Sequence, residues 1–166
     1  MRDYIEHLLV EYRTKGVLVD ANLLLLYVVG VYDPNWIERF KRTSKFVKDD
    51  FELLDRLLRH FQTVATTPPV LAEVSNFLGH LPEGARRDCT KLFCSLIPEL
   101  DDAHCPSEEL CGHPYSRRFR LTDTGIAEVS EEADLVVTDD LPLHHRLMND
   151  EQQDSINFNH FRTANW

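Results

Sequence analysis

Four acids in this sequence stand where a metal-dependent phosphoryl chemistry would need them. Asp20 closes the apolar run VLV, and Asp140 follows LVVT with Asp139 between. Asp123 sits in RFRLTD, and Glu73 lies in PPVLAEVSNFL just after TVATT. Carboxylates gathered at one point repel, and each raises the pKa of its neighbours. Divalent cations relieve that repulsion, and hard oxygen donors select magnesium or manganese over metals that prefer softer ligands. A cation held this way clamps phosphate oxygens and activates a water for in-line attack on phosphorus. Each acid alone has a plainer role: Asp123 as a helix cap, Glu73 as an exposed helix residue, Asp139 and Asp140 as a solvated turn before Pro142. The conjunction points to a site, because each acid follows a strand in the same orientation.

Elements of two kinds must alternate to bring these acids together. GVLVD, TVATT, RFRLTD, DLVVTDD and SINFNHFR read as strands, the first and fourth apolar enough to be buried on both faces. Between them lie helical patterns. Ile5, Leu8, Leu9 and Tyr12 fall on one face of a leading helix that Asp3 caps and that runs to about Arg13. ANLLLLYVV predicts a helix ending at Gly30, and DPNWIERFKR predicts another, capped by Asp33. KDDFELLDRLLRHF, PPVLAEVSNFLGHL, GARRDCTKLFCSLIPEL, TGIAEVSEEA and LPLHHRLMND complete the helices, with residues 101–117 as loop. The alternation predicts a doubly wound, three-layer α/β/α sheet of about five mostly parallel strands with an extra N-terminal helix. Such sheets place their sites beyond the carboxyl ends of the strands.

The chain has 166 residues, 43% of them hydrophobic, a suitable size for one domain with its own core. The expected division is a leading helix over 1–15, core motifs over 16–143, and a closing helix and strand over 144–166. The apolar run LLLLYVVGV is too short to span a bilayer, and the acid-bearing N-terminus MRDYIEHLLVEYRT is unlike a signal peptide. The expectation is a cytoplasmic protein with no membrane contact. A formal charge of −10 argues against a dedicated high-affinity DNA-binding module, yet not against an enzyme that meets nucleic acid through metal ions. Cys89, Cys94, Cys105 and Cys111 form no C-x-x-C pair. With His104 and His113 flanking the last two, zinc is conceivable, but the spacings are wrong for the common structural motifs, and reduced thiols are the plainer reading.

VLVDANLLL, PPVLAEVSNFL, LTDTGIAEVS and VVTDD together resemble the motifs of PIN-domain proteins, a family of metal-dependent ribonucleases with a doubly wound parallel sheet. The resemblance implies that Asp20, Glu73, Asp123 and Asp140 are the catalytic acids and the ligands of magnesium or manganese. It implies orienting roles for Asn22 and Thr138, with Asp139 in the variable slot between Thr138 and Asp140. It makes RNA the substrate and an antitoxin-like protein or a second copy of the chain the further partners. Arg117, Arg118 and Arg120 are candidate contacts for a phosphate backbone. Arg146 and His144 or His145 follow Asp140 and are candidates to face the site, where a histidine could transfer protons, but metal-dependent cleavage does not require one and neither histidine is assigned. The leading helix and the long insertion between Asp20 and Glu73 depart from the compact toxin members.

Other aspartate-bearing α/β folds fit less well. A phosphoacceptor receiver domain wants adjacent acids after its first strand and a lysine after its last, and a dehalogenase-type phosphatase wants an acid where Asn22 stands. A dinucleotide-binding domain wants a glycine-rich turn that DANLLLL lacks. The remaining alternative is a PIN-fold module that binds RNA or protein with little or no cleavage.

Overall fold

Val17–Val19 is three apolar residues long and wholly inaccessible, so it can only be a central strand. The computed structural model describes residues 2–112, 116, 120–130, 134–149 and 153–163, and places that strand, β1, in the middle of a five-stranded parallel sheet. The other strands are β2 (Val64–Thr66), β3 (Asp101–Asp102), β4 (Leu135–Thr138) and β5 (Ser155–Asn157), in the order β3-β2-β1-β4-β5. Around them lie helices α1 (Arg2–Tyr12), α2 (Ala21–Tyr32), α3 (Lys48–Leu58), α4 (Pro68–Leu78) and α5 (Glu83–Leu96). The later helices are α6 (Ser107–Gly112), α7 (Leu121–Ser130), α8 (Leu141–Asn149) and α9 (Phe158–Thr163). The result is the expected three-layer α/β/α arrangement with a helix ahead of the first strand.

The strand order has a direct consequence for the site. The chain winds outward through β1, β2 and β3, then crosses back to place β4 on the other side of β1. The carboxyl ends of β1 and β4 therefore flank the point where the winding reverses, which is where open α/β sheets form their crevice. The register pairs Val19 with Val137, so Asp20 leaves the sheet beside Thr138.

Helix α2 is apolar all round and packs against α3, α4 and α5, which is how a helix in the middle of a core must look. It runs on to Tyr32 instead of ending at Gly30. Gly30 serves packing rather than termination: a Cβ there would lie 2.2 Å from the Phe51 ring of α3. One hydrophobic cluster continues from Ile5, Leu8 and Leu9 on α1 through the sheet to Phe158 and Phe161 on α9. The leading helix is further pinned by Tyr4 and Tyr12, whose hydroxyls donate to the two carboxylate oxygens of Asp154 at 3.0 and 2.9 Å.

The segment DPNWIERFKR is not a regular helix. After a single 3-10 turn at Pro34–Trp36, the chain proceeds by successive turns. Ile37, Phe40, Thr43 and Phe46 are buried, a repeat of three that matches three-residue turns and not the 3.6 of an α-helix. Backbone bonds from Ile37 to Pro34, Thr43 to Phe40 and Phe46 to Thr43 follow the same spacing, interrupted by a four-residue bond from Phe40 to Trp36 at 2.8 Å, and the Thr43 hydroxyl donates to the Ile37 carbonyl at 2.7 Å. The residues between the buried ones face solvent.

Three further expectations are corrected. RFRLTD is not a strand over its described part: Leu121, Thr122 and Asp123 form the first turn of α7, which Thr124 opens by donating to the Arg120 carbonyl. The edge strand is instead β3, within residues 101–117 that read as loop. It consists of two exposed aspartates held only by backbone pairing to Ala65 and Thr66, so no hydrophobic alternation announces it, and its charges blunt the sheet edge. The same stretch also contains α6. At the chain's end, strand character stops at Asn157 and NHFR belongs to α9. No described helix is long and apolar enough to cross a membrane.

Candidate active site

Asp20 is the N-cap of α2, and the role fixes its carboxylate. Oδ1 accepts from the Leu23 amide at 2.8 Å, while Oδ2 accepts from the Asp139 amide at 2.9 Å and from the Thr138 hydroxyl. The side chain is 5% exposed. Burial, reinforced by the Asp139 charge, pushes its pKa up to about 7 against the pull of those three hydrogen bonds.

Asp140 repeats the device on the neighbouring strand. Its Oδ1 accepts from the Leu143 amide at 2.9 Å and so caps α8. Its own amide donates to Thr138 Oγ1 at 2.9 Å. The Thr138 hydroxyl thus joins Asp140 to Asp20 across the β1–β4 seam.

Asn22 orients a different acid from the one its position suggests. Its Nδ2 donates to Asp139 Oδ1 at 3.0 Å and not to Asp20, because residues two apart on a helix do not face each other. The second oxygen of Asp139 pairs with Lys45, from the turns that follow α2. Asp139 is thereby held by two partners, Asn22 and Lys45, beside the Asp20 carboxylate.

Glu73 projects from α4 and Asp123 from the first turn of α7. Burial first, then the charge of Asp140 and that of Glu73, raises the Asp123 pKa, against a backbone hydrogen bond from Arg120. Arg120 reaches Glu73 with Nη1 at 3.3 Å from Oε1, so its guanidinium, 78% exposed, lies beside the acids rather than free of them. Asp20, Glu73, Asp123 and Asp140 together line a cleft of about 340 Å³, with Asn22, Arg42, Phe77, Arg120 and Leu143 in its walls. Of the three arginines singled out from sequence, Arg117 and Arg118 lie outside the described residues. His144, His145 and Arg146 do not line the cleft. His144 packs against His145 and His160 and bonds Ser155 Oγ at 3.1 Å.

The donor set suits a hard divalent cation, being all carboxylate oxygen with like charges that raise the Asp123 pKa. Among the described residues no three of these acids converge tightly enough to grip a metal as they stand. The described members of the cysteine and histidine set do not converge either: Cys89 is buried in α5, where burial pushes its thiol up to about 11, and Cys105 bonds Glu109 Oε2 at 3.6 Å. His113 lies outside the described residues.

Comparison with protein-family models finds no match for the chain, and no curated protein matches it either. Function must therefore be read from the cleft itself. Sequence reasoning missed Lys45, Arg42 and Phe77. Arg42 lies over the Phe77 ring, 4.6 Å from its centroid, and lines the same cleft. The available signal was the run ERFKRTSK, basic in a chain of net charge −10.

Proposed function

We propose that this protein is a divalent-metal-dependent nuclease of the PIN-like type, hydrolysing phosphodiester bonds of RNA. One observation carries the reading: acids drawn from four distant parts of the chain line a single cleft at the reversal of the sheet, two of them joined through Thr138. A purely structural role explains Asp20 and Asp140 as caps, but it does not explain why Glu73 and Asp123 share their cleft. The choice of RNA rests on the resemblance to the PIN family.

Magnesium or manganese, when bound, supplies the charge that polarises the phosphate and lowers the pKa of the attacking water. Asp20 and Asp140 are fixed ligands, held by helix caps and by Thr138. Asp123 and Glu73, which line the same cleft, would complete the ligand set. Arg120, paired with Glu73 at the edge of the cleft and mostly exposed, would be the cation placed to meet a phosphate oxygen. Asp139, held by Lys45 and Asn22, keeps the Asp20 carboxylate aligned through its amide.

A metal-free binding module is the second reading, and the pairing of Glu73 with Arg120 favours it. The test separates the two. Wild-type protein with single-stranded RNA and manganese should give cleavage that EDTA abolishes. Asp140→Asn and Asp20→Asn should each reduce it at least about 100-fold. Equal cleavage by wild type and both variants removes the site assignment.

A further inference from the structure

The turns between α2 and α3 build a groove of about 690 Å³ that opens off the carboxylate cleft and shares Asn22 and Arg42 with it. Trp36, Arg39, Lys41, Arg42, Lys45 and His80 are among its walls. The three-residue repeat that buries Ile37, Phe40, Thr43 and Phe46 turns every basic residue of this stretch outward. Over residues 36–48 there are five basic residues and one acid, whereas the whole chain carries −10. Lys45 is committed to Asp139, which fastens the groove to the end of β4. Arg39, Lys41 and Arg42 have no carboxylate partner among the described residues, and the Arg42 guanidinium lies over the Phe77 ring.

We propose that this groove is a track for single-stranded nucleic acid. Arg39, Lys41 and Arg42 hold the phosphate backbone, and Trp36 stacks on an unpaired base. The placement of the scissile bond at the adjoining cleft rests on the nuclease reading above; the track does not. An acidic protein repels a polyanion overall, so binding requires a local path of opposite charge. Three uncommitted cations in one stretch match repeating phosphates better than the single phosphate of a modified peptide. The half-buried indole in the same groove matches a base, which only an unpaired strand can offer, since duplex bases are stacked on one another inside the helix.

The test is fluorescence anisotropy of a labelled RNA of about ten nucleotides, a length within the usual range for such sites, in low salt with EDTA so that nothing is cleaved. The charge reversal Arg39→Glu with Lys41→Glu should weaken binding by at least about tenfold and flatten its salt dependence. The same reversal at Arg13 and Lys15, which precede β1 at the end of the sheet away from the cleft, should leave it near wild type. Trp36→Leu should cost about tenfold and Trp36→Phe much less. Thermal melts of each variant confirm that it is folded. Equal loss from both charge reversals, equal affinity for a duplex of the same sequence, or no binding by wild type overturns the track. Binding lost only in the groove variants, in a protein that never cleaves with manganese, upholds the track and rejects the nuclease.

Discussion

Thr138 is the residue on which the geometry of the acids turns. It is completely buried, donates to one candidate ligand and accepts from the amide of another. Thr138→Val keeps the shape but removes both bonds. The expected cost is about 1–3 kcal/mol in denaturant unfolding, because the Asp140 amide and an Asp20 oxygen lose a buried partner. Manganese affinity, read as a shift in melting temperature, should fall about 10- to 100-fold, and Thr138→Ser should restore most of it. A Thr138→Val variant that binds manganese like wild type would show that Thr138 only stabilises the fold.

At this scale the sequence was informative about Asp20, Glu73, Asp123, Thr138 and Asp140. Asp20, Thr138 and Asp140 stand at the ends of apolar runs, which local patterning reveals, whereas Asp123 was reached through a strand that proves to be the first turn of α7 and Glu73 lies within α4. It was silent about Lys45 and its pairing with Asp139, which spans 94 positions and brings the turns after α2 to the end of β4. It misdirected Asn22, since adjacency along the chain suggested Asp20 whereas helix geometry turns the amide toward Asp139.

Among the elements, α8, β5 and α9 enclose a titratable cluster outside the cleft. His144 is flanked by His145 and His160 and bonds Ser155. Burial first, then the two neighbouring imidazoles, lowers its pKa from 6.5 to about 4. The unfolded chain therefore binds a proton at this position that the folded chain refuses between those two values. Stability from His144 is present above pH 6.5 and is lost as the pH falls toward 4. His144→Gln, which can still bond Ser155, should show a smaller loss of urea midpoint between about pH 7.5 and about pH 5 than wild type. An equal loss in both would place the acid sensitivity elsewhere. Asp20, with its pKa raised by burial, acts in the opposite direction, which is why the comparison must be between these two proteins and not across pH alone.

Elements with strong periodicity, such as α3, α4 and α5, were legible because their apolar residues fall at helical spacing. The edge strand β3 was not, because two exposed aspartates paired only through their backbone leave no trace in side-chain pattern. The stretch after α2 was misread for a related reason: buried residues at a spacing of three are nearly those of a helix, and hydrogen bonding decides between the two.

For the molecule as a whole, the negative charge and the sheet topology belong to the same account. The strand order brings acids from positions 20, 73, 123 and 140 to one crevice. The basic turns beside it provide a stretch of chain where five positive residues outnumber a single acid at close quarters. The central claim is that the crevice holds a divalent cation. A crystal soaked in manganese and measured for anomalous scattering tests it most directly. The account predicts a peak between Asp20, Asp123 and Asp140, with Glu73 rotated off Arg120 toward it. An empty cleft with Glu73 still paired to Arg120, at manganese concentrations that saturate other carboxylate sites, would contradict it.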